Sequence, residues 1–225
     1  MRLIILFLFV FSTAGAQINV KDLGAKGNNN QDDYPFIQKA IDSAVKTKGT
    51  VYIPPGRYKI SKPLIVANWT GKGYGQAFIK IIGEDMMHST GVSIILPTFK
   101  DAPALSLHMN KGSLVRGLFF EGMYRTPDIS VDSLYRTDID SYGDPTCRDS
   151  KYSPYAAIAI DPFRGVAPPD GGYPTLKGWY RGPDVVSGST GIRVEDCTFR
   201  NFTIGAILSP NGKTLNNELI TFENI

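Results

Sequence analysis

The chain has 225 residues, of which 42% are hydrophobic and 20% are charged, and this is enough for one domain with a sizeable core. Its formal net charge of +3 is too small to favour nucleic acid or a membrane surface as a partner. Two cysteines permit one disulfide at most, and Cys197 is expected to pack in the interior as a small apolar residue instead.

The first 16 residues have the pattern of a secretory signal peptide. Arg2 is followed by an apolar run from Leu3 to Phe11 and by the small residues Ala14, Gly15 and Ala16. The run is too short to span a bilayer, so no membrane insertion is expected after cleavage. The sequence therefore predicts a secreted protein, periplasmic or extracellular, whose mature domain comprises residues 17–225.

An amphipathic helix is predicted after a first strand that begins at Ile18. Asp33 or Tyr34 is expected to cap the start of the helix, and Gly49 is expected to end it. One apolar stripe follows the spacing i, i+3, i+4, i+7, i+8 and consists of Ile37, Ala40, Ile41, Ala44 and Val45. Short strands are then predicted at Val51–Ile53, Tyr58–Ile60, Phe78–Gly83, Val92–Leu96, Ala104–Leu107 and Leu114–Phe120.

The end of the chain contains a repeat. Ile220–Ile225 repeats Ile192–Cys197 at an offset of 28 residues, with a bend at Asp196 and Asn224. An earlier copy is recognisable, because Val115–Gly122 aligns with Val194–Asn201, and Ala156–Pro162 aligns with Ile204–Pro210. Three short strands per repeat predict one coil of a solenoid, and an antiparallel sandwich is the alternative.

The passage from Ile18 to Leu64 resembles the opening of the pectate-lyase superfamily, the rhamnogalacturonase- and epimerase-like domain. The resemblance is carried by VKDLGAKG, the Asp32-Asp33 pair, IQKAID and VYIPPGRYKIS. It departs from the family at Asn28-Asn29-Asn30, where Gly-Asp-Gly is usual, and at Tyr34, where Thr is usual. The resemblance implies an all-β, right-handed parallel β-helix, and we expect the helical stripe to cover the first coil. Asp32 and Asp33 are expected to be structural.

We also expect the chain to be an N-terminal part of a longer β-helix, because the repeat stops at Ile225 before its third strand.

Two long excursions interrupt the earlier coil, residues 123–155 and 163–188, and they are rich in aromatic and arginine residues. Aromatic faces stack on sugar rings and arginines bind carboxylates or hydroxyls, so these segments are expected to contact a polysaccharide. The candidate binding residues are Tyr155, Arg164, Tyr173, Trp179, Tyr180 and Arg181. The alternative is that these side chains only pack the loops onto the solenoid.

The candidate catalytic residue is Asp161, as an acid, a base or a hydrogen-bond acceptor for a sugar. On the strand Ala156–Asp161, Ile158 and Ile160 are expected to point inward, so Ala157, Ala159 and Asp161 would face outward and leave room for a ligand. The resemblance places this strand in the first sheet, whose outer face usually carries the substrate groove. The alternative role of Asp161 is to cap the turn before Pro162.

Three functions are compatible with these features. The leading one is polysaccharide degradation, by glycoside hydrolysis with two carboxyls or by β-elimination of a uronic-acid polymer with a base and a cation. The others are non-catalytic glycan binding or adhesion, and epimerisation of a uronan. The Asn-Thr-Asp, Asp-Asp, His-Gly and Arg-Ile-Lys series of polygalacturonases is not found, so either the protein is not that enzyme or those residues lie beyond Ile225.

No metal site is predicted from the sequence. His88 and His108 lack the spaced partners of a zinc site, and each is expected to be a surface or core histidine. Asp138–Gly143 is only a partial match to a calcium-binding loop and is expected to be a solvated turn. No cofactor is assigned, although a lyase would call for Ca²⁺ or a basic side chain beside the uronate.

Overall fold

The computed structural model describes residues 17–69, 74–84, 91–100, 102–123, 156–160, 189–202, 204–208 and 219–225. In this part of the chain a 3-10 helix (Val20–Leu23) and one α-helix, α1 (Tyr34–Thr47), accompany seventeen strands. The strands are β1 (Gln17–Asn19), β2 (Asn28–Asp32), β3 (Thr50–Tyr52), β4 (Gly56–Ile60), β5 (Leu64–Val66), β6 (Asn68–Trp69), β7 (Tyr74–Gly75), β8 (Lys80–Ile82), β9 (Ser93–Pro97), β10 (Leu105–Leu107), β11 (Leu114–Arg116), β12 (Leu118–Glu121), β13 (Ala156–Ile160), β14 (Arg193–Glu195), β15 (Thr198–Arg200), β16 (Ile204–Leu208) and β17 (Thr221–Glu223).

Three parallel sheets form the body of the molecule. Sheet A has the order β1-β3-β8-β11-β14-β17, sheet B has the order β15-β12-β9-β4-β2, and sheet C has the order β16-β13-β10-β5. The chain passes from a strand of sheet A to sheet B and then to sheet C before it returns one rung further along. This is a parallel β-helix, as the sequence predicted.

The strand register confirms the predicted repeats. Arg193 lies opposite Thr221, which is the offset of 28 residues. Val115 lies opposite Val194, and Ala156 lies opposite Ile204. The strand expected over Leu114–Phe120 is in fact two strands in different sheets. Gly117 separates them with a φ of 67°, a left-handed conformation that glycine adopts without a steric penalty.

The core consists of inward side chains stacked from rung to rung. In sheet A, Val51, Ile81, Val115 and Val194 are neighbours in register, and all four are buried. Sheet B contributes Tyr58, Ile95 and Phe120 in the same manner, and sheet C contributes Leu64, Leu105 and Ile158. Burying one such side chain stabilises the fold by about 1.5–3 kcal/mol, so the stacks supply most of the driving force.

The bend between sheets A and B repeats at the same place in successive coils. Gly117, Asp196 and Asn224 have φ values of 67°, 52° and 50°. Asparagine and aspartate tolerate this left-handed region better than other side chains do. The amide Nδ2 of Asn224 also donates to Asp196 Oδ1 at 3.0 Å, which joins the last two coils. The bend predicted at these two residues is confirmed.

Helix α1 buries the predicted stripe, because Ile37, Ala40, Ile41, Ala44 and Val45 are its buried residues. Asp33 occupies the N-cap position, as expected, although its side chain makes no hydrogen bond to the helix. The expected end at Gly49 is one residue late. Lys48 is the C-cap, with a φ of 53°, and its N–H donates to the Ala44 carbonyl. Among the described residues, no helix is both long and apolar enough to cross a membrane.

Helix α1 also protects the free edge of sheet C. The Gln38 amide Nε2 donates to the Ile65 carbonyl at 2.8 Å, and the Ile65 N–H donates to Gln38 Oε1 at 2.9 Å. The side-chain amide thus satisfies the backbone groups of the edge strand β5 that a neighbouring strand would otherwise pair with. The helix contacts β5, β3 and the 3-10 helix, which are all in the first coil.

His108 is a core histidine rather than a ligand-binding one. It is buried, and its burial lowers the pKa of the imidazole from 6.5 to about 3. In the unfolded chain the imidazole is therefore protonated near pH 6.5, whereas in the folded chain it is protonated only near pH 3. The free energy of unfolding should consequently fall as the pH drops from 6.5 toward 3.

We expect the variant His108→Leu to show a shallower acid destabilisation. Between pH 6 and 4, its unfolding free energy should decline by up to about 1.4 kcal/mol less per pH unit than that of the wild type. Urea titrations across this range measure both slopes, and titrations near pH 8 measure the cost of the substitution itself. Equal slopes for the two proteins would show that His108 is protonated in the folded state.

Candidate functional site

The candidate site is centred on β13, the strand of sheet C that both long excursions adjoin. Residues 124–155 lead into its first residue, and residues 161–188 follow its last. Asp161 and the candidate binding residues lie outside the described residues, namely Tyr155, Arg164, Tyr173, Trp179, Tyr180 and Arg181. In the sequence, Tyr155 directly precedes β13 and Asp161 directly follows it.

The strand itself is more buried than expected. Ile158 and Ile160 belong to the core, as predicted, but Ala157 and Ala159 are also fully buried. Ser106, which lies beside Ala159 on the neighbouring strand β10, is buried too. The expectation that the small alanines leave room for a ligand directly on the strand is therefore wrong. Parallel sheets commonly have both faces covered, and the alanines allow that close packing here.

Asp33 has a structural role. It is fully buried, and its carboxylate accepts hydrogen bonds from the N–H groups of Lys26 and Gly27 at 2.8 and 2.9 Å and from Gln31 Nε2 at 2.8 Å. These bonds hold the loop between the 3-10 helix and β2 against the start of α1. A carboxylate occupied in this manner has little capacity left for acid–base chemistry.

Asp32 is occupied in a similar way. Its Oδ1 accepts hydrogen bonds from the N–H groups of Tyr34 and Ser61 at 3.1 and 3.0 Å, and its Oδ2 accepts one from the Ser61 hydroxyl at 2.5 Å. The side chain thus connects β2 to the end of β4. The prediction that the acidic pair is structural agrees with these contacts.

Within the part of the chain that the structure describes, no group of three histidine, cysteine or acidic side chains could hold a metal ion. His88 and the partial calcium loop at Asp138–Gly143 lie outside that part. A requirement for Ca²⁺ thus remains an expectation tied to lyase chemistry.

Cys197 occupies the inward position that the sequence predicted. It is buried with a free thiol, and its Sγ lies 3.2 Å from the Glu195 carbonyl oxygen. Burial raises the pKa of this thiol to about 12, so it stays protonated and unreactive at neutral pH. Cys147 lies outside the described residues.

Glu195 and Glu223 lie on sheet A, whereas β13 is in sheet C. The two residues are opposite each other in register, and the Glu195 carboxylate is paired with Arg193 at 3.2 Å.

Sequence reasoning missed a charged cluster on sheet B, in which Glu121 contacts both Arg57 and Arg200. Part of the signal was present, because the alignment of Val115–Gly122 with Val194–Asn201 sets Glu121 opposite Arg200. Arg57 comes from two rungs earlier, where the chain shows no comparable repeat. Its contact with Glu121 could therefore be found only in the structure.

The three parallel sheets and their register define the chain as a parallel β-helix protein. Residues 17–93 match the model of a family described as "Rhamnogalacturonase A/epimerase, pectate lyase-like". This match supports the resemblance to the pectate-lyase superfamily that the sequence of Ile18 to Leu64 predicted.

Several proteins of assigned name are similar to part of the chain. It is 42% identical over 77 residues to alginate lyase 7 of Azotobacter vinelandii, and the match covers 29% of this chain and 9% of the lyase. It is 38% identical over 85 residues to a mannuronan C5-epimerase of the same organism, and the match covers 33% of this chain and 10% of the epimerase. A probable glucan endo-1,3-beta-glucosidase of Arthroderma benhamiae is 34% identical over 96 residues, and the match covers 38% of this chain and 9% of the glucosidase. The matched segments thus make up about a tenth of each of these relatives.

Solved structures resemble the chain at low sequence identity. The A-module of an Azotobacter vinelandii mannuronan C-5 epimerase is 18% identical, with a TM-score of 0.45 over 92% of this chain and 50% of that one. A surface adhesin of Streptococcus pneumoniae is 14% identical, with a TM-score of 0.38, and the match covers 81% of this chain and 49% of the adhesin. The fold assignment rests on the strand register of the chain itself.

Proposed function

We propose that this protein is a secreted enzyme that degrades a polysaccharide, with a polymer of uronic acids as the leading substrate class. The observation that carries the proposal is the 34–42% identity, over 77–96 residues, to proteins named as an alginate lyase, a mannuronan epimerase and a probable glucan glucosidase. These proteins act on different polymers by different reactions, but each acts on a carbohydrate chain. Secretion follows from the signal-peptide pattern of residues 1–16.

The topology supports a substrate position beside sheet C. Both long excursions adjoin β13, one before Ala156 and one after Ile160. Because parallel strands keep their ends aligned, the two segments start from opposite ends of one rung. A polysaccharide lying along the solenoid axis between these ends would meet the tyrosines, tryptophan and arginines of both segments. Since β13 is itself buried, the ligand would contact these segments rather than the bare strand.

Two reactions remain candidates for this site. Hydrolysis requires one carboxyl as an acid and a second as a base or nucleophile. Elimination requires a base that removes a proton beside the uronate carboxylate, and a cation that neutralises that carboxylate. Asp161 is the proposed acid or base in either reaction, and Arg164 or Arg181 is the proposed cation for a uronate.

Product analysis tests the proposal. The full chain is incubated with alginate, with polygalacturonate and with a neutral β-1,3-glucan, with and without Ca²⁺. New saturated reducing ends indicate hydrolysis, and ultraviolet absorbance of an unsaturated uronate indicates elimination. Changed uronate stereochemistry without a fall in chain length indicates epimerisation, and binding without any product indicates an adhesive protein. Either of the last two results would overturn the proposed degradation.

A further inference from the structure

A cluster of three charged side chains lies on the outer face of sheet B. Glu121, the last residue of β12, uses its two carboxylate oxygens for two different arginines. Its Oε2 accepts a hydrogen bond from Arg57 Nη2 at 3.1 Å, and its Oε1 accepts one from Arg200 Nη2 at 3.2 Å. The arginines come from β4 and β15, so the cluster spans four neighbouring strands of the sheet. We call these three residues the double-arginine cluster.

The cluster has more positive charge than an internal ion pair requires. One carboxylate neutralises one guanidinium, so a unit of positive charge is left over. The Glu121 side chain is only 10% exposed, whereas the Arg57 and Arg200 side chains are 50% and 61% exposed. Each guanidinium carries five N–H donors, and Glu121 engages one donor of each arginine. Exposed ion pairs contribute only about 0.2–1 kcal/mol each, so stability alone gives little reason for the second arginine.

An aromatic ring and a further positive charge lie on the same face of sheet B as the cluster. The Arg200 guanidinium lies over the ring of Phe119, with its carbon 5.9 Å from the ring centroid. Lys59 is two residues after Arg57 in β4, so it projects from the same face of the sheet. Asp32 lies opposite Lys59 in β2, but its carboxylate is engaged by Ser61. Glu121 therefore restrains both arginines, and the Phe119 ring further restrains Arg200, before any ligand arrives.

We propose that this outer face of sheet B binds a glycan chain that carries carboxylates, with Arg57 and Arg200 as the contact residues and Lys59 beside them. Three strand spacings separate β4 from β15, which corresponds to about 14 Å along the solenoid axis. The two guanidinium groups nevertheless converge on the Glu121 carboxylate, so neighbouring carboxylates of one glycan chain could engage the remaining N–H donors of both arginines. The surface lies on a different sheet from β13, and binding at this surface involves no catalysed reaction. It takes only its ligand class, a uronic-acid polymer, from the proposed function.

Affinity electrophoresis of the full chain tests this binding surface. The native gels contain alginate, polygalacturonate or a neutral β-1,3-glucan. The test variant is Arg57→Gln/Arg200→Gln, and the control is Lys80→Gln/Arg116→Gln, which makes the same change of charge at two exposed positions on sheet A. In both polyuronate gels we expect the apparent Kd of the test variant to rise about three- to thirtyfold over the wild type, which corresponds to two exposed ionic contacts.

The control variant should bind polyuronate as the wild type does, and none of the proteins should be retarded by the neutral glucan. The single variants Arg57→Gln and Arg200→Gln, which each keep one ion pair with Glu121, should give intermediate affinities. An unchanged affinity of the double variant, or an equal loss in the control, would overturn the proposal. A protein that forms no product but shows the expected loss would contradict the proposed enzyme and leave this surface supported.

Discussion

An Ile41→Asp variant is expected to lose roughly 3–5 kcal/mol of unfolding free energy. Ile41 is fully buried in the centre of the α1 stripe and belongs to the same core cluster as Val51 and Leu64 of the first coil. The substitution removes this apolar contact and places a carboxylate without a cation against the open end of the solenoid. Equilibrium unfolding in urea, followed by circular dichroism, measures the loss.

Lys39→Asp is the matched control for this substitution. Lys39 is an exposed residue of the same helix, so the new carboxylate remains in water. We expect its unfolding free energy to change by about 0.5 kcal/mol or less. If the two variants were equally stable, α1 would not lie against the first coil, and the role of the helix as a cover for that coil would be wrong.

An Asp161→Asn variant is expected to lower kcat on the polysaccharide by about 10²–10⁴-fold, which is the usual contribution of a general acid or base. The amide keeps the shape of the side chain and removes its charge and its titratable proton. It can still cap the turn before Pro162, so folding should be unaffected. Initial rates at saturating substrate measure the loss once product analysis has identified the reaction.

Asp170→Asn changes a second aspartate of the same segment, residues 161–188, and serves as the control. It should retain kcat within a small factor of the wild type. A wild-type rate in Asp161→Asn would make Asp161 a turn residue and would place the catalytic carboxyl elsewhere. Equal losses in both variants would indicate that the charge of the segment matters rather than one acid.

The solenoid could be predicted because its signals are local and periodic. The helical stripe of α1 has a spacing that only a helix places on one face. The 28-residue offset at Ile220 fixes the pairing of β14 with β17 without any knowledge of the rest of the fold. The bend at Asp196 could be read from residue type, because few side chains tolerate a left-handed φ.

Other features depend on contacts between distant residues and leave little trace in the sequence. No strand is predicted over residues 28–32, yet they form β2, whose pairing with β4 is irregular between Asn28 and Asp32. Tyr74 and Gly75 likewise fall in no predicted strand, but they pair with β6 in a short antiparallel ladder. Backbone pairing satisfies polar segments as well as apolar ones, so the alternation of apolar residues does not reveal these strands.

The strand at the centre of the candidate site could be predicted, but its burial could not. The alignment of Ala156–Pro162 with Ile204–Pro210 identified β13 as a rung between two insertions, and the register confirms the pairing. The burial of Ala157 and Ala159 could not be predicted, because a small residue is equally compatible with an open groove and with close packing.

Amide hydrogen exchange of the full chain, with and without a short oligouronate, tests most directly whether the substrate lies beside sheet C. We expect slower exchange on binding in residues 124–155 and 161–188, which adjoin β13. We expect no change in α1 or in the loop that Asp33 holds. Protection confined to α1 and the Asp33 loop, with residues 124–155 and 161–188 unchanged, would contradict the placement of the site.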